Sequence, residues 1–217
     1  MVLRDPKSIL EIKKRFLKHY PSAKTELNYN NLYELVVDVI LSAQCTDKRV
    51  NIITPAFFKK YPDIRSLANA DLEDVKELIK SCSFFNNKAK NLIAMAKAVM
   101  EKYNGEIPAD EKELIKLPGI GRKTAHVIMI EYFGKDLMAV DTHVFRVAHR
   151  LGLSDAKTPE ATEKDLTEAF KTELNAIHQA MVLFGRYICK AKKPECHRCF
   201  LNDLCESEEK IASTDRA

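Results

Sequence analysis

Apolar residues recur at helical spacing along almost the whole chain, and no run alternates as a half-buried strand would. The pattern is plain in Leu32 to Leu41, Asp74 to Ile79, Asn91 to Met100 and Ala176 to Phe184. Helix-breaking residues separate such segments at Tyr20-Pro21, Tyr61-Pro62, Gly105 to Pro108, Leu117 to Gly121, Phe133-Gly134, Leu151-Gly152 and Lys193-Pro194. The chain should therefore be all-α, a string of short helices joined by brief loops. Its 217 residues, 46% of them hydrophobic, suffice to bury a core as one large domain or two small ones. There is no internal repeat, and only the polar tail from Glu206 to Ala217 is expected to fray.

The first residues, Met1 to Lys7, are charged where a secretory signal would be apolar, and no apolar run is long enough to span a bilayer. A cytoplasmic location without membrane association is the expectation. The net charge of +4 does not by itself establish a polyanionic partner, because a modest lysine excess is common on solvated surfaces.

Glycine is scarce, and two of the six glycines, Gly119 and Gly121, stand in Leu117-Pro118-Gly119-Ile120-Gly121-Arg122-Lys123. Asp110 and Glu113 resemble a capping box opening a short helix through Leu117; Pro118 stops it, and Arg122 starts another helix running to about Tyr132. A glycine turn that presents backbone N–H groups at a helix start suits one phosphate of a nucleic acid. It equally suits a tight helix-helix turn plugged by Ile120, and Arg122 with Lys123 tilts the choice toward phosphate. Lys123 lies where the positive helix end and desolvation could release a neutral, nucleophilic amine. Its plainer role is a solvated lysine. Asp141, in Val140-Asp141-Thr142-His143, is placed to cap the next helix, which would also fix its carboxylate. His143, His149 and Arg150 read as surface groups.

Four of the six cysteines form Cys189-x6-Cys196-x2-Cys199-x5-Cys205. In a cytoplasmic chain this indicates metal rather than disulfides. Zinc usually takes two close C-x2-4-C arms and only Cys196 to Cys199 provides one, so the uneven wrap favours an iron-sulfur cluster while leaving zinc open. Cys45 and Cys82 stand apart as small buried hydrophobes. Lys190, Lys192 and Lys193, between the first two clustered cysteines, form a basic loop beside Arg186 and Arg198.

The hairpin with its lysine, Val140 to His143, the cysteine spacing, Leu41-Ser42-Ala43-Gln44 with Thr46-Asp47, and Asn86 with Lys88-Ala89 occur in one order. Over about residues 20 to 205 the chain resembles the bacterial endonuclease III family, the iron-sulfur type of the helix-hairpin-helix DNA glycosylase superfamily. The resemblance implies a two-lobed all-α fold with DNA in the cleft. Residues 23–135 would form a six-helix barrel with the helix-hairpin-helix at about 111–130, and residues 1–22 with 136–217 a lobe holding a [4Fe-4S] cluster on Cys189, Cys196, Cys199 and Cys205.

It further implies a monomeric, nucleoid-associated glycosylase and AP lyase of base excision repair. Such an enzyme acts on double-stranded DNA containing oxidised pyrimidines or abasic sites and nicks it on the 3′ side by β-elimination. Lys123 and Asp141 would be catalytic and face each other across the cleft. Gln44 would fill the gap left by the flipped base, Phe84 would be the wedge where the family places leucine, and Gly119, Gly121, Arg122, Lys190, Lys192 and Lys193 would meet the backbone. Phe84 and Phe85 could instead be core aromatics. Cys45 and His126 stand where alanine and asparagine are expected. Two rival readings are a non-enzymatic DNA-binding module and a monofunctional adenine mismatch glycosylase; the latter lacks the lysine and carries a further domain.

Overall fold

The computed structural model describes residues 4–208 and 210, so residues 1–3, Glu209 and most of the tail expected to fray lie outside the described residues. Eleven α-helices and two 3-10 turns account for the regular structure among them. The chain divides into two compact units: one runs from Glu26 to Gly134, and the other joins the described residues up to Thr25 with those from Lys135 onward.

The first unit contains α2 (Leu32–Ser42), α3 (Asp47–Lys60), α4 (Ile64–Ala68), α5 (Leu72–Ile79), α6 (Phe85–Tyr103), α7 (Glu111–Ile115) and α8 (Arg122–Glu131). α2 is buried on nearly every side, from Tyr33 and Leu35 through Leu41, and Leu35, Leu41, Phe57, Leu67, Ile79, Leu92, Met95, Leu114 and Ile128 complete a close-packed interior. Asp38 lies in that interior with neither carboxylate oxygen hydrogen-bonded, and burial pushes its carboxyl up to about 8. The sequence pattern gave no warning of it.

The second unit contains α1 (Pro6–His19), α9 (Thr142–Arg150), α10 (Pro159–Phe170) and α11 (Leu174–Tyr187), followed by 3-10 turns at Cys196–Arg198 and Asn202–Leu204. Asp5 caps α1 through Lys7 and Ser8 N–H groups, with Pro6 preset at the first helical position. The apolar face of α1, Ile9, Ile12 and Phe16, joins Val144, Val147, Ile177, Met181 and Phe184 in one core. Phe16 meets Phe184 and Phe200 edge-on at 5.4 and 5.7 Å, so α1 is packed directly against the cysteine loop. Arg15 reinforces the contact by donating to the Phe200 carbonyl at 2.9 Å and to Asp203.

Candidate active site and iron-sulfur centre

Asp110 opens α7 by accepting the N–H groups of Lys112 and Glu113, which is half of a capping box. The other half does not form. Glu113 turns instead to Lys116 at 2.7 Å and to the Tyr103 hydroxyl at 2.8 Å. α7 also ends at Ile115 rather than Leu117, because the residue before Pro118 disfavours helical geometry; Lys116 and Leu117 close with tight i to i−3 bonds. His126, buried in α8, ties back to Glu111 at 2.9 Å and clasps the two helices together.

The glycines divide the work of the turn. Gly119 has φ +82°, and a Cβ there would come within 2.9 Å of the Asn91 Cβ, so this glycine is required by the fold itself. Gly121 has ordinary backbone angles and open space where a Cβ would be, so nothing within the chain demands it. No side chain caps α8, although Ile120 is buried as a plug. The turn is therefore both a packed helix-helix connection and an uncapped helix start with room beside its backbone. Lys123 is exposed on the first turn of α8. The desolvation expected of it is not supplied by the protein's own packing.

Asp141 caps α9, its Oδ1 accepting the Val144 N–H at 2.8 Å. Lys123 and Asp141 belong to different units, each held by the opening turn of a helix.

Gln44 follows the end of α2 and Phe84 precedes α6; both have positive φ, 54° and 58°, which side-chain-bearing residues adopt at a cost. Phe84 is 62% exposed and Phe85 is half-buried, so Phe84 is no core aromatic. The Gln44 loop is fixed from below by Lys88, whose buried ammonium donates to the Leu41 and Ala43 carbonyls at 2.8 and 2.7 Å. Lys88 thus satisfies the orphan carbonyls at the end of α2. No local pattern marks this role, because Lys88 stands in the polar run Asn86-Asn87-Lys88-Ala89-Lys90-Asn91, where a lysine reads as solvated.

Cys189, Cys196, Cys199 and Cys205 line one cavity together with Leu151, Phe184, Ile188 and Pro194. Burial pushes the Cys199 thiol up to about 11 and the Cys189 thiol upward, so four bare thiolates would be poorly accommodated without a compensating positive centre. Four thiols arranged around one cavity suit the four corners of an iron-sulfur cluster.

Arg146 and Arg150 brace this loop. Arg146 donates to the Cys189 and Gly185 carbonyls at 3.0 and 2.7 Å, and Arg150 to the Lys190 carbonyl at 2.7 Å and toward the Cys189 Sγ at 3.5 Å. Arg150 is thus a half-buried support of the cysteine loop rather than a surface group, and half-buried His149 bridges the Phe145 and Ala156 carbonyls at 2.7 and 2.8 Å. Spacing could not reveal the role of Arg150, since its partners lie about forty residues away. Within the loop Lys190 is paired with Glu195, which also holds Arg198, whereas Lys192 and Lys193 are exposed and carry no ion pair among the described residues.

All regular structure among the described residues is helical, and a glycine hairpin leading into a lysine-bearing helix together with four cysteines around one cavity are the parts of an iron-sulfur helix-hairpin-helix DNA repair protein. Residues 37–172 match the HhH-GPD superfamily of base excision DNA repair proteins, and residues 189–205 match the iron-sulfur binding domain of endonuclease III. The chain is 47% identical to endonuclease III of Rickettsia felis over 192 residues, 88% of this chain and 90% of that protein. It is 39% identical to endonuclease III of Escherichia coli over 203 residues, 93% and 96% of the two chains. A solved structure of a trapped endonuclease III–DNA covalent intermediate, in an estranged-adenine complex, superposes with a TM-score of 0.90 at 40% identity, covering 94% of this chain and 96% of that one. The chain belongs to the endonuclease III family. It is accordingly a base excision repair DNA glycosylase and AP lyase with a [4Fe-4S] cluster.

Proposed function

We propose that the chain removes oxidised pyrimidines from duplex DNA and then nicks the strand 3′ to the resulting abasic site by β-elimination, acting as a monomer in the cytoplasm at the nucleoid. The observation that carries this reading is Lys123, exposed on the first turn of an uncapped helix just beyond Gly121, whose backbone has open space beside it. A phosphate at that helix start would orient the strand, with Gly119 shaping the turn, Gly121 letting the backbone approach and Arg122 adding charge. Bound DNA would cover Lys123 and provide the desolvation that the free protein lacks.

The damaged nucleotide is flipped out, Phe84 wedges the base step and Gln44 fills the vacated space. The neutral Lys123 amine attacks C1′ of the deoxyribose as the glycosidic bond breaks and the base departs. Asp141, oriented because Oδ1 is committed to its cap, offers Oδ2 to the developing positive charge and to proton transfer. The aminal so formed opens its sugar ring as the C1′–O4′ bond breaks and O4′ takes a proton, giving an imine between Lys123 and C1′. The imine acidifies the C2′ proton, whose removal breaks the C3′–O bond and expels the 3′ phosphate. Lys192 and Lys193, with Lys190 behind them, meet the backbone on the cysteine loop. Cys189, Cys196, Cys199 and Cys205 would hold the cluster, which would cross-link that loop and fix its shape. His143 and the arginines of α9 support it.

Borohydride reduction in the presence of duplex containing an abasic site or thymine glycol should couple the protein covalently to DNA. Lys123→Gln should abolish coupling while leaving DNA binding largely intact. Undiminished coupling in that variant refutes the assignment of Lys123 and returns it to the role of a solvated phosphate contact.

A further inference from the structure

Cys45 and Cys82 take no part in the chemistry above, yet the fold brings their Sγ atoms to 3.7 Å across a sequence separation of 37. Both are free thiols in this structure. Cys45 is half-buried and follows Gln44 in the loop joining α2 to α3. Cys82 is buried and stands two residues before Phe84 in the turn joining α5 to α6. The two sulfurs therefore link the bases of the two segments proposed to enter the duplex.

The surroundings suit sulfur chemistry of unequal kind. Lys88 Nζ, anchored on the Leu41 and Ala43 carbonyls, and the Arg49 guanidinium place positive charge near Cys82. Burial outweighs that charge and pushes the Cys82 thiol up to about 12, and Cys45, the more accessible of the two, is the sulfur an oxidant reaches first. A dithiol in a reducing compartment stays reduced until an oxidant arrives, which is the usual setting of a sensing pair.

We propose that Cys45 and Cys82 are a redox pair, oxidised by a hydroperoxide to a disulfide that staples the Gln44 loop to the Phe84 turn and reversibly lowers base excision. The Cys45 thiolate attacks one peroxide oxygen and breaks the O–O bond, giving a sulfenic acid at Cys45 and, after protonation of the leaving oxygen, one water. The Cys82 sulfur then attacks the Cys45 sulfur. The S–S bond forms as the S–O bond breaks, and the hydroxyl leaves with the Cys82 proton as a second water. Two thiols and one hydrogen peroxide thus give one disulfide and two waters, with the peroxide oxygens reduced and the sulfurs oxidised.

The staple matters because Gln44 and Phe84 both hold left-handed backbone conformations on loops that must settle around an unstacked base pair. Bond formation draws the two loops together from van der Waals contact and removes their independent movement. Misplacement of positioning groups by about an ångström can cost up to about a hundredfold in rate, so a loss on the order of tenfold or more is expected. This last link rests on the roles proposed for Gln44 and Phe84, whereas formation of the bond does not.

The test uses the cluster-loaded full chain, treated briefly with hydrogen peroxide, blocked with N-ethylmaleimide and divided for peptide mass spectrometry and for excision of thymine glycol from duplex, with the visible absorbance of the cluster followed throughout. The proposal expects a peptide pair joined through Cys45 and Cys82, a parallel fall in excision at constant cluster absorbance, and recovery of both by dithiothreitol. Cys45→Ser and Cys82→Ala should each retain activity through the same treatment. Absence of the joined peptides overturns the redox pair, and equal inactivation of the variants overturns its link to activity. If the reduced protein forms the joined peptides on oxidation but never excises thymine glycol or cleaves an abasic duplex, the functional reading fails while the thiol chemistry stands.

Discussion

Removing both Lys192 and Lys193 is expected to change the salt dependence of DNA binding by an amount that the ion pairs of the cysteine loop determine. Three lysines in the loop would suggest three phosphate contacts, but Lys190 is already bound to Glu195. Glu195 also holds Arg198, so it offsets positive charge on both sides of the loop. Lys192 and Lys193 remain exposed. Each lysine that neutralises a phosphate contributes about 0.9 to the slope of log affinity against log salt, so Lys192→Ala with Lys193→Ala should flatten the slope by about 1.8. Over a fourfold rise in salt, wild type should lose about twelvefold more affinity than the double variant. Lys190→Ala alone should leave the slope almost unchanged, since it removes one member of an existing pair. Fluorescence anisotropy on duplex carrying an abasic analogue, titrated at ionic strengths from about 50 to about 200 mM, reads these slopes directly. Preference for damaged over undamaged duplex should survive, because phosphate contacts carry no direct base information. An unchanged slope in the double variant, or an equal change in Lys190→Ala, refutes the reasoning and makes the loop a solvated face.

Asp141→Asn should slow base excision far more than it weakens binding, since amide oxygen can still accept the Val144 N–H while the charge is lost; single-turnover rates beside binding isotherms test this, and equal losses would restrict Asp141 to capping. Cys199→Ser should lower the iron and sulfide recovered per chain and reduce solubility or DNA affinity before it affects borohydride coupling at Lys123; full iron retention would remove Cys199 from the ligand set. Asp38 has a folded-state carboxyl near 8 against about 4 when unfolded, so between those values the unfolded chain has released a proton that the folded chain keeps. The stability this group provides is complete below about pH 4 and is lost as pH rises toward about 8, at roughly 1 kcal/mol per pH unit. Asp38→Asn should flatten that decline in urea midpoints, and parallel curves for the two proteins would show that Asp38 is charged or solvated in the fold.

Helices, breaks and the glycine hairpin were legible because each is a local property. Proline and glycine mark the ends of α7 and the start of α8, and Asp110 and Asp141 report their own caps within four positions. Even there Glu113 misled, since Tyr103 and Lys116 compete for the carboxylate that a capping box would use. What stayed hidden depends on partners remote in sequence. Lys88 serves α2 from α6, Arg150 serves a loop forty residues later, and Cys45 meets Cys82 only because the turns before α3 and α6 converge. Asp38 was hidden for a different reason: a single aspartate in an apolar helix ordinarily marks its solvent face, and α2 has none.

The interleaving of the two units fixes an order of assembly. Everything needed for the unit from Glu26 to Gly134 is contiguous, so it can fold on the ribosome as soon as that stretch has emerged. α1 is made first but must wait. Its stripe of Ile9, Ile12 and Phe16 finds Phe184 and Phe200 only after synthesis has passed residue 200, and until then it is an exposed apolar helix tethered to a finished neighbour. The cavity that the four thiols line is likewise built only from residues after position 149, the last stretch of the unit to be made. Because metal binding couples to folding, iron starvation during growth should yield chains whose contiguous middle resists proteolysis while both flanks are cut.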